Sequence, residues 1–200
     1  MTPAVLLLAC GAIARELESL RRAGQWQHVT LRCLDPALHN RPEEIAPAVE
    51  AAILHHRGAF THIFVAYADC GSSGALDRVL ERHGIERLPG AHCYEFLAGS
   101  AAFEALAAAE PGTFYLTDFL ARHFDRLVKR GLGLDRHPQL MPHYFGNYRR
   151  LVFLAQTADA ELDELARGHA DYLGLAYERH ATGLAPLARA LEARVLPWQN

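Results

Sequence analysis

Two apolar runs decide the fold of this chain: AVLLLA at residues 4–9 and HIFVAYA at residues 62–68. Both runs are continuous, which is typical of strands that are buried on both faces of a parallel sheet. Each is followed within three residues by a glycine, Gly11 or Gly71. A segment with apolar residues at helical spacing comes next, Ala12–Ala23 after the first run and Ala75–His83 after the second. This alternation of strand and helix predicts an α/β protein.

The same alternation continues along the chain. Further strands are predicted at His28–Leu34, Ile85–Leu88, Phe114–Thr117 and Leu151–Ala155, and further helices at Ala101–Ala109, Phe119–Lys129, Ala160–Leu173 and Leu184–Ala193. We expect a doubly wound, mainly parallel sheet of about five strands with helices on both faces. A length of 200 residues corresponds to one domain, or at most to two small intertwined halves, and we assign residues 1–200 to a single α/β domain.

Composition and charge exclude several classes of protein. Half of the residues are hydrophobic and 22% are charged, so a substantial core can form and a disordered chain is excluded. A net charge of -3 argues against a nucleic-acid partner and against a polybasic membrane-surface protein. The sequence has no uninterrupted run of about 18 apolar residues and no export signal at its start, so we expect a cytoplasmic protein without a membrane partner.

Small polar or thiol groups follow four of the predicted strands. They are, in chain order, Cys10-Gly11, Asp69-Cys70-Gly71, Thr117-Asp118 and Gln156-Thr157. Ligands of open α/β sheets bind beyond the carboxyl ends of the strands, where loops converge. We therefore expect these four strand ends to form one shared site, although the Thr117-Asp118 pair is also typical of a helix N-cap.

Three of the four cysteines are candidate metal ligands. Cys10 and Cys70 follow two similar strands, and Cys93 lies in the turn after a third segment. Zinc accepts cysteine sulfur in tetrahedral geometry, and three protein ligands with one open position are typical of catalytic sites. The same thiols could instead hold an iron–sulfur cluster, act as a redox or covalent thiol, or be small buried hydrophobic groups. For Cys33, which lies within a strand, we expect core packing.

Three side chains outside the cysteines are candidates for catalysis or substrate binding. His39, in a loop punctuated by proline, could be a fourth ligand or a proton shuttle, or simply a surface histidine. Arg41 beside it could pair with an anionic group of a substrate. In an extended HCYE segment, Glu95 lies on the same side as Cys93, which makes it our first candidate for general acid or base catalysis. The alternative is a carboxylate that stabilises a helix N-terminus.

The segment DCGSSGALD leaves a predicted strand and enters a helix. Backbone N–H groups of Gly71, Ser72 and Ser73 could therefore bind an anionic part of a substrate. Nucleotide binding is not supported, because the segment matches neither G-x-G-x-x-G nor the phosphate-binding lysine pattern. Asp69 could be a metal ligand or a supporting acceptor, or could only stabilise the turn.

Several longer motifs carry a family resemblance across nearly the whole chain. They are CGAIARE, LHNRPE, AYADCGSSGALD, PGAHCYEFLAG, TFYLTDFLARHFD, LGLDRHPQL, YFGNYRRLVFLAQT and ADYLGL. In these motifs the chain resembles the bacterial and archaeal family called domain of unknown function sixteen-thirty-eight. Members of that family are similar in carrying the cysteines that stand here at Cys10, Cys70 and Cys93 and the loop with His39. The resemblance also implies an association with corrinoid-dependent methyl transfer.

Three functions are compatible with these observations. The first is a zinc-dependent enzyme, such as a methyl or alkyl transferase, or an accessory of corrinoid-linked one-carbon metabolism. Its substrate would be a thiol or a methyl donor and its partner a corrinoid protein or a methyltransferase, with Glu95 or His39 moving the proton. The second is an iron–sulfur lyase or electron carrier that uses the same cysteines. The third is a non-catalytic protein that delivers a metal or cofactor or docks on a methyltransferase. Its alanine-rich amphipathic helices are also compatible with a homodimer.

Overall fold

The computed structural model describes residues 5–195 and Trp198, so Ala4, the first residue of the predicted opening strand, lies outside the described residues. The strands are β1 (Val5–Cys10), β2 (Val29–Leu34), β3 (His62–Ala66), β4 (Glu86–Arg87), β5 (Thr113–Thr117), β6 (Arg150–Ala155) and β7 (Ala176–Ala181). The α-helices are α1 (Ala14–Ala23), α2 (Ile45–His56), α3 (Ala75–His83), α4 (Cys93–Ala98), α5 (Ser100–Ala109), α6 (Asp118–Phe124), α7 (Met141–Phe145), α8 (Ala160–Leu173) and α9 (Ala185–Val195). Among the described helices, none has both the length and the apolar character needed to cross a lipid bilayer. The predicted α/β class is confirmed.

The strands belong to two sheets, and every pairing between named strands is parallel. The first sheet has the order β2-β1-β3-β4 and the second the order β5-β6-β7. We expected a single sheet of about five strands. The first sheet instead ends at β4, which has only two residues, Glu86 and Arg87. An edge strand this short and charged is a poor template for a further strand.

The chain also divides into two compact units. One contains Met1–Phe96 together with Leu187–Asn200, and the other contains Leu97–Pro186. The chain therefore returns to the first unit after completing the second. The assignment of residues 1–200 to a single domain stays a prediction.

Strand β1 is the centre of the first unit. All six of its residues are buried, as the continuous apolar run predicts for a strand covered on both faces. In the register of the first sheet, Ala9 of β1 lies beside Ala66 of β3. The residues that come next, Cys10 and Tyr67, consequently leave the sheet at the same level of its carboxyl edge.

The strand ends of the second sheet make a hydrogen-bonded network of their own. The backbone N–H of Asp118 donates to Oε1 of Gln156, and the backbone N–H of Gln156 donates to Oδ1 of Asp118, each at 2.9 Å. The hydroxyl of Thr157 donates to the other carboxylate oxygen of Asp118, and Thr117 is the N-cap of α6. These groups join the ends of β5 and β6, whereas Cys10 and Cys70 follow strands of the first sheet. The four strand ends therefore do not lie on the edge of one sheet, and the expectation that they form one shared site stays a prediction.

A buried histidine makes the stability of the second unit dependent on pH. His169 stacks on Phe124 with a centroid distance of 4.0 Å, and its Nε2 donates to the carbonyl of Ala121 at 2.9 Å. Burial lowers the pKa of His169 from its ordinary 6.5, and the charge of Lys129 adds to this, against the hydrogen bond to Ala121 and the charge of Asp125.

Because the unfolded chain binds this proton more readily, the free energy of unfolding should rise with pH between the lowered folded pKa and 6.5, and should level off above it. Urea unfolding at a series of pH values between about 5 and 7.5 measures this slope. His169→Gln should flatten it. An unchanged slope in that variant would assign the pH dependence to other groups.

Candidate metal centre

Four separate segments of the first unit bring sulfur and imidazole groups together. Cys10 is the last residue of β1, and Cys70 lies in the loop after β3. His39 lies in the 3₁₀ helix Pro36–Asn40 that follows β2, and Cys93 is the first residue of α4. All the cysteines of the chain are free thiols.

The donor atoms of three of these residues are close enough to share one ion. The ligand atoms of His39, Cys70 and Cys93 all lie within 4.8 Å of one another, and the sulfurs of Cys70 and Cys93 are 3.0 Å apart. Cys10 adjoins this group, since its Sγ lies 3.7 Å from Nδ1 of His39. The His39, Cys70 and Cys93 group could hold a metal ion, with the Cys10 sulfur beside it.

The cluster is buried at its base and open at His39. Cys10 and Cys70 are buried, with 1% and 7% of their surface exposed, and Cys93 is partly buried. His39 is exposed as a residue, although its Nδ1 lies against the buried Cys10 sulfur. The imidazole of His39 is therefore the member of the cluster with the most surface exposed to solvent.

Backbone hydrogen bonds fix the loops of Cys70 and Cys93 to each other. The N–H of Cys70 donates to the carbonyl of Ala91 at 2.8 Å, and the N–H of Asp69 donates to that of Gly90 at 3.1 Å. The segment before α4 therefore continues alongside the chain beyond β3, as an extra pair of strands would. This pairing brings the two sulfurs together although they are 23 residues apart in sequence.

Arg87 holds the same segment from its other side. Its Nη1 donates to the carbonyls of Leu88 and Gly90, and its Nε and Nη2 make a two-point ion pair with Asp77 of α3. The side chain of Arg87 is only 15% exposed, so the ion pair is shielded from solvent on that side. Such a planar, two-point contact fixes orientation as well as distance.

The loop of Cys70 has an unusual backbone. Cys70 itself has φ +49, in the left-handed region that side chains seldom adopt, and Gly71 follows at φ +86. Asp69 organises the loop, because its carboxylate accepts hydrogen bonds from the Ser72 hydroxyl and from the N–H groups of Ser73 and Gly74 at 2.8–3.1 Å. Burial opposes its charge, yet these bonds hold the pKa of Asp69 below its ordinary value.

This network bears on the predicted substrate-binding residues. The amide of Ser73 and the hydroxyl of Ser72 are already bonded to Asp69, and Arg41 makes an exposed ion pair with Glu44 at 2.9 Å. The carboxylate of Asp69 is thus the anion that the Ser72 hydroxyl and the Ser73 amide bind in this structure. The assignment of Arg41, Gly71, Ser72 and Ser73 to substrate binding stays a prediction.

The cluster favours loss of a thiol proton. A hydrogen bond from Cys93 lowers the pKa of Cys70 against the effect of burial, and the imidazole of His39 lowers it further. The same hydrogen bond, together with burial, raises the pKa of Cys93. Burial disfavours the charged form of His39, but the sulfurs of Cys10 and Cys70 outweigh it and raise the pKa of that imidazole. In the absence of a cation, a thiolate at Cys70 is therefore balanced by a protonated His39.

One buried polar group at the site was missed by the sequence analysis. Tyr67 is fully buried, and its ring lies parallel to that of His39 within 12° at a centroid distance of 6.3 Å. Among the residues that the structure describes, its hydroxyl meets no acceptor at full hydrogen-bond geometry and lies against the Cys10 sulfur. A buried hydroxyl without a partner costs roughly 1–3 kcal/mol. The sequence does carry a signal, since Tyr67 is the one residue with a polar tip between the apolar run and Asp69.

Two expectations about neighbouring residues are corrected by the structure. The segment at Cys93 is a helix rather than an extended chain, so Glu95 is rotated about 200° from Cys93 around α4, and its carboxylate lies against Gly90. Cys33 is exposed and does not pack in the core, because it lies on β2, at the edge of the first sheet. The structure thus brings His39 to the thiols, and the catalytic roles of His39 and Glu95 stay predictions.

The fold and the donor set define an α/β protein with a site of thiols and imidazole that can hold a metal ion. The chain belongs to the family described as "Protein of unknown function (DUF1638)", whose model matches residues 33–191, and the predicted resemblance is thereby confirmed. The matched stretch contains His39, Cys70 and Cys93 and begins after Cys10. No curated protein matches the chain.

Proposed function

We propose that this protein binds zinc through His39, Cys70 and Cys93, with the Cys10 sulfur beside them and the fourth position open. We propose that it acts in corrinoid-linked one-carbon metabolism, either as an enzyme that transfers a methyl group to a thiol or as an accessory of such an enzyme. The observation that carries the proposal is the convergence of His39, Cys70 and Cys93 within 4.8 Å, with the Cys10 sulfur against the imidazole. The link to corrinoids comes from the family resemblance.

The spacing of the donors suits a tetrahedral ion. Two sulfurs that each lie 2.3 Å from one zinc ion are separated by about 3.8 Å. The Cys70 and Cys93 sulfurs, at 3.0 Å, would have to separate by less than 1 Å to reach that distance. The lowered pKa of the Cys70 thiol also favours the deprotonated form that a metal requires.

The mixture of donors favours zinc over an iron–sulfur cluster. Clusters are generally held by four cysteine thiolates, whereas zinc takes sulfur and imidazole nitrogen in one site. Cys33, which would be the fourth thiol, is exposed on β2 and does not belong to the group of donors. An iron–sulfur cluster held by the three remaining cysteines is the alternative.

The chemistry of the proposal is the alkylation of a thiol. Zinc, when bound, keeps a coordinated thiol deprotonated near neutral pH. His39 is the most exposed member of the site, so the thiol proton is released to solvent on that side. The sulfur then forms a bond to the methyl carbon, and the bond between that carbon and its donor breaks with the electron pair remaining on the donor.

Metal analysis of anaerobically purified protein tests the proposal. We expect about one zinc per chain in a colourless protein. Iron and sulfide with a broad visible absorption would establish the cluster instead, and protein free of both metals would refute a metal centre. Loss of methylcobalamin absorbance in the presence of 2-mercaptoethanol then tests methyl transfer. A protein that binds zinc but does not transfer the methyl group would support the accessory role and contradict the enzymatic one.

A further inference from the structure

The buried hydroxyl of Tyr67 lacks a strong hydrogen-bond acceptor. It lies at the carboxyl edge of the first sheet, one residue beyond β3 and at the level of Cys10. It is fully buried, and the acceptor beside it in the described part of the chain is the Cys10 sulfur, a weak acceptor that it does not meet at full hydrogen-bond geometry. Phenylalanine would fill the same volume without leaving a polar atom unsatisfied. The unused hydroxyl therefore indicates a group that is not part of the chain.

The surroundings of this hydroxyl restrict what that group can be. The phenol lies against the Cys10 sulfur, with the sulfurs of Cys70 and Cys93 near it. Its hydroxyl carries a hydrogen that it can donate to an acceptor. An acceptor for this hydroxyl would lie beside the sulfurs and the ring of His39, next to the residues that would hold the metal.

We infer that Tyr67 is a positioning residue whose hydroxyl donates a hydrogen bond to the sulfur of an exogenous thiolate bound at the metal, an inference that rests on the metal centre proposed above. The bond orients the sulfur and compensates part of the negative charge that a further thiolate adds to the three cysteine sulfurs. Tyr67 should therefore strengthen binding of the negatively charged thiolate more than binding of the neutral thioether product.

Cobalt-substituted protein tests this inference by a visible spectrum. Wild type, Tyr67→Phe and the control Tyr144→Phe, which alters an exposed tyrosine, are loaded anaerobically with Co(II) and titrated with 2-mercaptoethanol. We expect all three to bind Co(II) equally, and Tyr67→Phe alone to bind the thiol about tenfold more weakly. Its Tm without metal should be no lower than that of wild type, because the variant removes an unsatisfied hydroxyl.

One result would overturn the inference on its own, namely equal thiol affinities in wild type and Tyr67→Phe. If the spectrum of the thiol-free Co(II) protein changes in that case, the hydroxyl acts on the Cys10 sulfur instead. Wild type that binds no Co(II) would overturn the metal centre and this inference together, which separates the two failures.

Discussion

Replacing Cys70 with Ser is expected to abolish zinc binding at any concentration that leaves wild type saturated. The hydroxyl of serine does not ionise near neutral pH, so the site loses the thiol whose pKa is already lowered by Cys93 and His39. Loss of a residue that merely supports a ligand costs roughly 10–100-fold in metal affinity, and loss of a ligand should cost more. Cys93→Ser should behave in the same way, because its sulfur lies 3.0 Å from that of Cys70.

The matched control is Cys33→Ser, which removes an exposed thiol outside the donor group. It should retain zinc with wild-type affinity in a chelator competition, and circular dichroism should show all the variants folded. Retention of full zinc affinity by both Cys70→Ser and Cys93→Ser would contradict the proposed centre. The Cys10→Ser variant then measures whether the third sulfur is a ligand, since the structure places it beside His39.

Replacing Gly11 with Ala is expected to destabilise the first unit and weaken its zinc site. A Cβ at Gly11 would lie 2.8 Å from the carbonyl oxygen of Leu34 and 2.9 Å from Cδ of Pro36, so the loop after β2 has to move. Forced movement of this kind typically costs roughly 1–3 kcal/mol. Since Pro36 opens the 3₁₀ helix of His39, the same movement displaces the imidazole.

Urea unfolding and zinc affinity should both be measured, with Gly168→Ala as the control. Gly168 is exposed in α8, and a Cβ there would meet no atom within 4 Å. Alanine at that position should stabilise the helix by roughly 0.5–1 kcal/mol and leave zinc affinity unchanged. Equal stabilities of wild type and Gly11→Ala would show that the loop absorbs the extra methyl group without cost.

Much of the fold could be predicted because its central strands are buried on both faces. The uninterrupted apolar run of β1 is characteristic of such a strand, and it gave the α/β class and the parallel pairing. Strand β7, with the sequence AYERHA, was missed because it lies at the edge of the second sheet and carries polar side chains. The division of the strands between two sheets depends on contacts between residues that are far apart in sequence. Local sequence patterns do not predict such contacts.

The site could be predicted only in part, for a related reason. The rule that ligands lie beyond the carboxyl ends of parallel strands brought Cys10 and Cys70 together, since both follow strands of the first sheet. The same rule also placed Asp118 and Gln156 in this site, although they follow strands of the second sheet. Tyr67 was treated as part of the strand His62–Ala68, and only its buried, unpartnered hydroxyl distinguishes it from a core residue.

The return of the chain to the first unit bears on how the donor cluster is made in a cell. Leu187 and Leu191 of α9 are fully buried, and Arg194 of the same helix pairs with Glu86 of β4 at 2.7 Å. During synthesis, α9 cannot pack into the first unit until residues 97–186 have been translated. Cys10, Cys70 and Cys93 are synthesised long before that moment, so we expect the proposed metal site to be completed only after α9 has left the exit tunnel.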